Sequence, residues 1–367
     1  MSLLSFGAKK DVLGIDIGAS TVKILELNVS SGKINVLNFA HEDVGVLGIE
    51  DKSPEERKQI YINTVKKLVD SHKFTTKNAA VSISGSSVIV RFVKFPKMSE
   101  ADFKKTLLFE AEPHIPFDIQ DVDIDAQIIG DVEEEDQIKM ETVLVASKKE
   151  TIRDRIDIIE KAGLKPAIID VDTFALGNAY ELIYKDAANK VVMLLNVGAS
   201  TTNISIMEKG ISKVVRDLYV AGKNFTRAIQ NEMQITREKA ESLKIKYGLS
   251  ALSGKPVDDM AGQIHGILNP IIRELNSEVQ RSIDYFTGQQ VSGSEANIEK
   301  IILSGGSAKM IGLAEAVSAE LRIPVEIFSP LENANVSSVK GASNMDFSSP
   351  ALAVVTGLAA RRIGDHK

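Results

Sequence analysis

Two stretches decide how this chain reads: GIDIGASTVKI at residues 14–24 and LNVGASTTNISI at residues 195–206. The run Gly-Ala-Ser-Thr stands at Gly18–Thr21 and again at Gly198–Thr201, about half the chain apart, so a domain is expected to be present twice. In each copy an apolar run, Val12–Ile17 or Val191–Val197, enters a small-residue turn and leaves through a second apolar stretch. That pattern predicts a β-hairpin with glycine, serine and threonine at its tip. Glycine lets the backbone come close to a ligand, and consecutive N–H groups with hydroxyls make a concave anion site. Two such tips facing each other would clamp a polyphosphate.

Composition narrows the class. With 367 residues and 44% hydrophobic content the chain can bury sizeable cores, and its length suggests two or three domains. No apolar run approaches the roughly 18 to 20 residues that span a bilayer, and the apolar part of residues 1–10 is too short for a secretory signal. Cysteine is absent, which excludes disulfides and thiolate metal sites and fits a reducing compartment. A net charge of −6 argues against a nucleic-acid partner. None of the five histidines shows metal-ligand spacing with another. A cytoplasmic protein without direct membrane insertion is the expectation.

After the first hairpin, Ile34–Phe39 reads as a third strand and residues 54–71 as a helix, with Ser53 as N-cap and Pro54 at the first helical position. Residues from Ala79 to Phe95 read as strand broken at Gly85, and residues 11–95 are taken as the first half. At Pro96 the character changes. Ser99 caps a helix carrying Phe103, Leu107 and Leu108, which stops at the PHIPF turn, residues 113–117. Strands Asp121–Ile129 and Met140–Ala146 follow, joined by a solvated acidic turn at Glu133–Asp136, and then a helix at Thr151–Ala162. Residues 96–168 are thus expected as a compact α/β insertion, and residues 169–189 as a segment leading back into the first half.

The second copy, residues 190–223, repeats the meander with Lys213–Leu218 as its third strand. Residues 224–298 are mostly helical, and the stripe Leu268, Ile272, Leu275, Val279, Ile283 and Phe286 reads as core. Within 299–340, the strand Lys300–Leu303 runs into Ser304-Gly305-Gly306-Ser307 and a helix carrying Met310, Leu313, Val317 and Leu321. The glycine turn is therefore expected at a helix N-terminus, which favours anions. Residues 341–367 contribute an alanine-rich helix, Ala351–Ala360, packed between the halves and returning to the first.

A hairpin with Asp16 and Lys23, a second at Asn196–Thr201 and a late turn at Gly305 and Gly306 together resemble the actin-like ATPase superfamily. The fold this implies is α/β: duplicated actin-like, ribonuclease H-like domains around a nucleotide cleft, with an α/β subdomain inserted where the cell-division protein FtsA carries its own. The strings FPKMSEADF, FEAEPHIPFDIQDVDID, LVASKKETI, AGLKPAIIDVDTFAL and NVGASTTNISI are similar to the PilM family of type IV pilus assembly, over nearly the whole chain.

That resemblance implies ATP and Mg²⁺ in the cleft, and as partner the N-terminal cytoplasmic peptide of the inner-membrane protein PilN. Position by position, Asp16 matches the acidic residue near the metal, acting through water, and Lys23 the phosphate-contacting lysine. Ser20 and Thr21 match one side of the phosphates; Gly198, Ser200 and Thr201 match the other, and Asn196 and Gly222 are further cofactor-binding candidates. Glu241 and Lys244 match the pair on the ribose and adenine side, and Gly305, Gly306 and Ser307 the adenosine turn. Asp172 resembles the acidic position of the first connecting element, with Asp170 close enough to compete. The PilN tail is expected in a groove between the first half and the inserted unit, bordered by the strand Val88–Phe95 and by the inserted helix carrying Phe103 and Leu107. Other pilus assembly proteins and motor ATPases are further partners that the resemblance allows, and homo-oligomerisation is left open.

Bland explanations stand beside these. Asp16 can be an aspartate satisfying turn amides, Lys23 can face solvent, and Glu241 with Lys244 can be an ordinary helical ion pair. One departure bears on mechanism. The superfamily commonly has aspartate where this chain has Asn196, and an amide brings no negative charge to a metal and cannot act as a base. Asn196 and Asp172 are the only catalytic candidates, and binding with slow hydrolysis is expected. Three classes remain: a nucleotide-held scaffold at the inner membrane, a slow ATPase or small-molecule kinase, and an FtsA-like filament-forming ATPase. The last is disfavoured because ARRIGDHK at residues 360–367 supplies no amphipathic helix.

Overall fold

The computed structural model describes residues 11–30, 32–44, 49, 52–134, 137–186, 190–253, 258–289 and 297–365. Strands β1 (Leu13–Ile17), β2 (Thr21–Ser30) and β3 (Lys33–Asp43) form an antiparallel meander. Helix α1 (Pro54–Ser71) begins in a reciprocal cap: the Ser53 hydroxyl accepts from Glu56 N–H, and the Glu56 carboxylate accepts from Ser53 N–H. Strand β4 (Asn78–Ile83) then pairs in parallel with β1.

The next three strands leave that sheet. Strand β5 (Val88–Pro96), β6 (Val122–Glu134) and β7 (Gln137–Lys148) form a three-stranded antiparallel sheet in the order β5-β7-β6. Helix α2 (Glu100–Ala111) covers one face, burying Phe103 against Phe95 and Met140, and Ala111 against Leu144 and Ala146. Helix α3 (Lys149–Lys161) and strand β8 (Lys165–Val171) return to the first half, β8 pairing in parallel with β4.

This moves the expected boundaries of the insertion. Val88–Phe95 belongs to the inserted sheet through its full pairing with β7, so the inserted unit begins near residue 88. At the other end, Ile158, Ile159 and Leu164 are buried with Val65, Leu68 and Val81, which makes α3 part of the first half's core. β6 extends to Glu134; residues 135 and 136 of the expected acidic turn lie outside the described residues.

After α4 (Asp172–Ile183) the first architecture recurs. Strands β9 (Val191–Val197), β10 (Thr202–Glu208) and β11 (Ile211–Leu218) form the meander, and β12 (Lys300–Ser304) and β13 (Val325–Ile327) add in parallel. The two sheets have the same plan: β3-β2-β1-β4-β8 in one, β11-β10-β9-β12-β13 in the other. Between β11 and β12 run α5 (Gly222–Met233), α6 (Arg237–Tyr247) and α7 (Asp259–Gly288). The stripe on α7 is core: Leu268, Ile272, Leu275, Val279 and Phe286 are buried with Met193, Leu195 and Phe225.

The glycine turn after β12 opens into a single 3-10 turn, Gly306–Lys309, and α8 (Leu313–Leu321) starts only after Gly312. The expected α-helix N-terminus at Gly305-Gly306 is therefore not there. Gly305 has φ 90, and a Cβ on it would lie 2.4 Å from the Val197 carbonyl oxygen, so glycine is required for the turn to pack against β9.

The last helix, α9 (Ala353–Ala360), lies at the junction of the halves. Ala353 is buried with Leu176 of α4 and with Val192, Leu194 and Ile302 of the second sheet. Where α9 crosses α4, a Cβ on Gly357 would sit 1.7 Å from the Ala175 carbonyl oxygen, so the two helices touch backbone to backbone.

Candidate functional site

The two hairpin tips have the same internal bond: Gly18 N–H donates to the Thr21 carbonyl, and Gly198 N–H to that of Thr201. They face a common cavity of about 390 Å³ between the halves. Into it open Asp16, Ser20, Thr21 and Lys23 from the first half, Asn196, Gly198, Ser200 and Thr201 from the second, and Asp172 from the start of α4. Gly222, Glu241, Lys244, Gly305, Gly306 and Ser307 complete the wall. With the exception of Asp170, the structure thus brings together the residues singled out from the sequence.

Their local bonding separates cavity groups from supports. Ser307 Oγ donates to the Gly198 carbonyl, as does Gly222 N–H, so both brace the second tip from behind. The Thr21 hydroxyl donates to Asp43. Glu241 and Lys244 form an ion pair of 2.7 Å, with Lys244 buried. Thr226 Oγ1 donates to Glu241 and accepts from Lys244 Nζ, tying α5 to α6 at the cavity wall. An exposed helical pair does not account for this arrangement.

Asp170 and Asp172 separate as well. Asp170 is buried in an ion pair with Arg361, away from the cavity. Asp172 lines it. Burial, then the nearby Asp16 charge, push the Asp172 carboxyl up to about 6, against hydrogen bonds from Ser82 and Ser84. Its proton affinity is clearly raised, so it is poised near neutrality. Asn196 has both ends of its amide engaged: Nδ2 donates to Asn203 and Oδ1 accepts from Ser304.

A second, larger cavity of about 740 Å³ lies where the inserted sheet meets both halves. Its floor is the face of the inserted sheet opposite α2. Val143 and Val145 of β7 stand there, with Phe92 and Gln127 opposite Val143 and Asp125 opposite Val145. Ile169 and Phe174 of the first half and Met207 and Ile211 of the second form the other walls. β6 and β8 end their sheets, so unpaired strand edges border it on two sides. Of the borders expected for the peptide groove, β5 reaches this cavity through Phe92, whereas α2 packs on the other face of the sheet, its Phe103 ring 5.4 Å from that of Phe95 in the core.

The family profile described as type IV pilus assembly protein PilM matches residues 14–363. The chain belongs to that family. A solved structure of a PilM-PilN type IV pilus biogenesis complex is 25% identical, with a TM-score of 0.78, covering 96% of this chain and 98% of that one. This PilM-family chain is also 22% identical to the cell division protein FtsA of Neisseria meningitidis serogroup B, over 88% of its own length and 84% of the relative's. MreB5 of Spiroplasma citri bound to AMPPNP shares the fold at 13% identity and a TM-score of 0.53, covering 95% and 94% of the two chains. The fold is therefore the duplicated actin-like one.

Sequence reasoning missed Asn203, Thr226, Arg237 and Lys309, all on the smaller cavity of this PilM-family chain. Asn203 was within reach, because a hairpin closing at Gly198–Thr201 places it opposite Asn196. Thr226, Arg237 and Lys309 carry no such signal, since the packing of α5, α6 and the turn after β12 brings them in. No helix among the described residues is long and apolar enough to cross a membrane.

Proposed function

We propose that this PilM-family chain is an ATP-binding scaffold of the type IV pilus inner-membrane platform, and that it holds the N-terminal cytoplasmic peptide of PilN. The observation that carries the first part is the pair of equivalent glycine turns opposed across one cavity, with Lys23 of β2 lining it beside one tip. Backbone N–H groups and a lysine are the usual cradle of a polyphosphate. Glu241 and Lys244, with Gly305 and Gly306, would meet the nucleoside. The donor set is compatible with Mg²⁺ held by the phosphates: this ion keeps several waters and needs one or two carboxylates, and Asp16, which lines the cavity beside Lys23, would supply one through water. Neutral Asn196 adds no charge there, so binding without fast turnover is the reading preferred.

For the peptide, the support is the second cavity. An extended segment gains main-chain hydrogen bonds from an unpaired strand edge and places alternate apolar side chains in pockets. β6 supplies the edge, and Phe92, Val143 and Val145 supply the apolar floor.

Two measurements test this. Purified protein is denatured and any released nucleotide identified, followed by titration of fluorescent ATP with and without Mg²⁺; absence of both release and binding ends the ATP assignment. A labelled PilN tail is then titrated into wild type and Val143→Arg. The expected result is loss of peptide binding with ATP binding kept, and equal peptide affinity places the peptide elsewhere.

A further inference from the structure

A row of polar side chains crosses the second sheet. Ser304, Asn196, Asn203 and Asp217 stand directly opposite one another on β12, β9, β10 and β11. Each is bonded to the next. Ser304 Oγ donates to Asn196 Oδ1 at 3.2 Å, Asn196 Nδ2 to Asn203 Oδ1 at 2.8 Å, and Asn203 Nδ2 to Asp217 Oδ1 at 2.7 Å. The other carboxylate oxygen, Asp217 Oδ2, accepts the backbone N–H of Gly85 at 2.6 Å. Gly85 belongs to the opposite half. It sits in the turn between β4 and β5, at φ 87, and Val88 N–H closes the turn onto its carbonyl. The row therefore starts in the wall of the nucleotide cavity and ends on the segment that leads into the inserted sheet.

The chemistry of the row gives it a direction. An ionised carboxylate only accepts, whereas each carboxamide has one donor end and one acceptor end. With Asp217 at the end, the NH₂ of Asn203 must turn toward it, which leaves Asn203 oxygen for the NH₂ of Asn196. Asn196 oxygen is then set toward Ser304. Flipping both amides would put Asn203 oxygen against the carboxylate. Ser304, Asn196 and Asn203 are buried, so water does not rescue the wrong arrangement. The corresponding row of the first sheet is Asp16, Lys23 and His41, where the carboxylate sits on the first strand of the meander instead of the third.

The geometry points to Asp217 as a positioning residue for the nucleotide: it fixes which face of Asn196 the cavity presents, and it ties that choice to Gly85 across the cleft. The strand end it holds is gripped a second time, since Ser82 and Ser84 donate to Asp172 on the cavity wall. This rests on the ATP reading above. Occupancy of the cavity then reaches the root of the inserted unit through hydrogen bonds already formed.

The experiment titrates fluorescent ATP with Mg²⁺ into wild type, Asp217→Asn and the exchange Asn203→Asp with Asp217→Asn. In the single variant an NH₂ meets one of the two N–H groups that faced the carboxylate, and affinity is expected to fall about tenfold, as one lost hydrogen bond to a charged group implies. In the exchange, an aspartate at 203 accepts from both neighbouring amides and an asparagine at 217 offers its oxygen to Gly85, so affinity rises severalfold above the single variant, short of wild type because a charge now stands on the cavity wall. Equal affinity of Asp217→Asn and wild type overturns the assignment, and so does an exchange that fails to rescue. On the unmodified protein, nucleotide is expected to slow hydrogen exchange at Gly85 N–H more than at Val88 N–H. Nucleotide binding with unchanged exchange at Gly85 removes the link across the cleft. A wild type that binds no nucleotide overturns instead the reading on which the link rests.

Discussion

Lys23 Nζ lies 2.8 Å from Asp16 Oδ2, and the two residues are direct partners across β1 and β2. The lysine that faces the cavity is thus held straight by a neighbouring carboxylate before any ligand arrives. Replacing it with alanine would remove the proposed phosphate contact and leave Asp16 uncompensated. Lys23→Ala should weaken ATP binding by about 1.5 to 3 kcal/mol, the size of a charge-assisted hydrogen bond. Adding Asp16→Asn to that variant should recover part of the loss in Mg²⁺-free titrations, since the stranded charge is gone. Equal affinity of wild type and Lys23→Ala would take Lys23 away from the phosphates.

Turnover is expected to stay below about 1 per second, under the range of ordinary phosphoryl-transfer enzymes. Asn196→Asp, which supplies the charge common in the superfamily, faces an obstacle visible in the bonding. The new carboxylate would oppose Asn203 Oδ1, which now accepts from Asn196 Nδ2. The variant should lose about 1 to 3 kcal/mol of stability, the range for a buried polar group left unsatisfied. Urea midpoints with matched slopes check this, beside a phosphate-release assay; an unchanged midpoint would mean that Asn203 turns over freely.

Asp172 gives a pH signature. Its carboxyl is raised to about 6 from an ordinary 3.8, so the folded chain holds that proton more tightly than the unfolded chain. The associated stability is fully present below the ordinary value and is lost as pH climbs through about 6. Asp172→Asn removes the dependence, and at pH 7 the variant should exceed wild type by about 2 to 3 kcal/mol while matching it more closely near pH 4. Denaturation at both pH values decides, and a gap that does not vary with pH would show that the proton affinity is ordinary.

The helix crossing at the junction invites a glycine comparison. Gly357→Ala drives a methyl into the Ala175 carbonyl and should cost about 3 kcal/mol or prevent folding. Gly262 lies inside α7, where an added methyl would meet nothing within 4 Å, and Gly262→Ala should instead stabilise by about 0.5 to 1 kcal/mol. Thermal unfolding of the pair separates close packing from helix propensity, and a tolerated Gly357→Ala would mean that α4 and α9 slide apart readily.

Much of this was legible because it is local. The hairpin tips, the Ser53 and Ser99 caps and the α7 stripe each depend on residues within a few positions of one another. The duplication was visible because Gly-Ala-Ser-Thr survives at both tips. What failed depended on partners distant in sequence. Val88–Phe95 has the same alternating pattern whether it pairs with β4 or β7, and nothing in that pattern names the neighbour. Phe103 and Leu107 are apolar whether they border a groove or fill a core. The turn at Gly305 and Gly306 looks like a helix start in sequence, yet the residue that caps α8 is Gly312, well beyond it. Resemblance alone favours Asp172 over Asp170, and what removes Asp170 as a competitor is Arg361, distant in sequence, which claims it.

The larger groove takes its walls from three places: the inserted sheet, the first half through Ile169 and Phe174, and the second half through Met207 and Ile211. Its width is therefore a reading of the angle between the halves, and the smaller cavity reads the same angle from the other side. Two openings that share one degree of freedom are not independent. If the two cavities hold the nucleotide and the peptide proposed above, a ligand that favours one angle in the smaller changes the grip of the larger, and reciprocity then requires the peptide to change nucleotide affinity by the same factor.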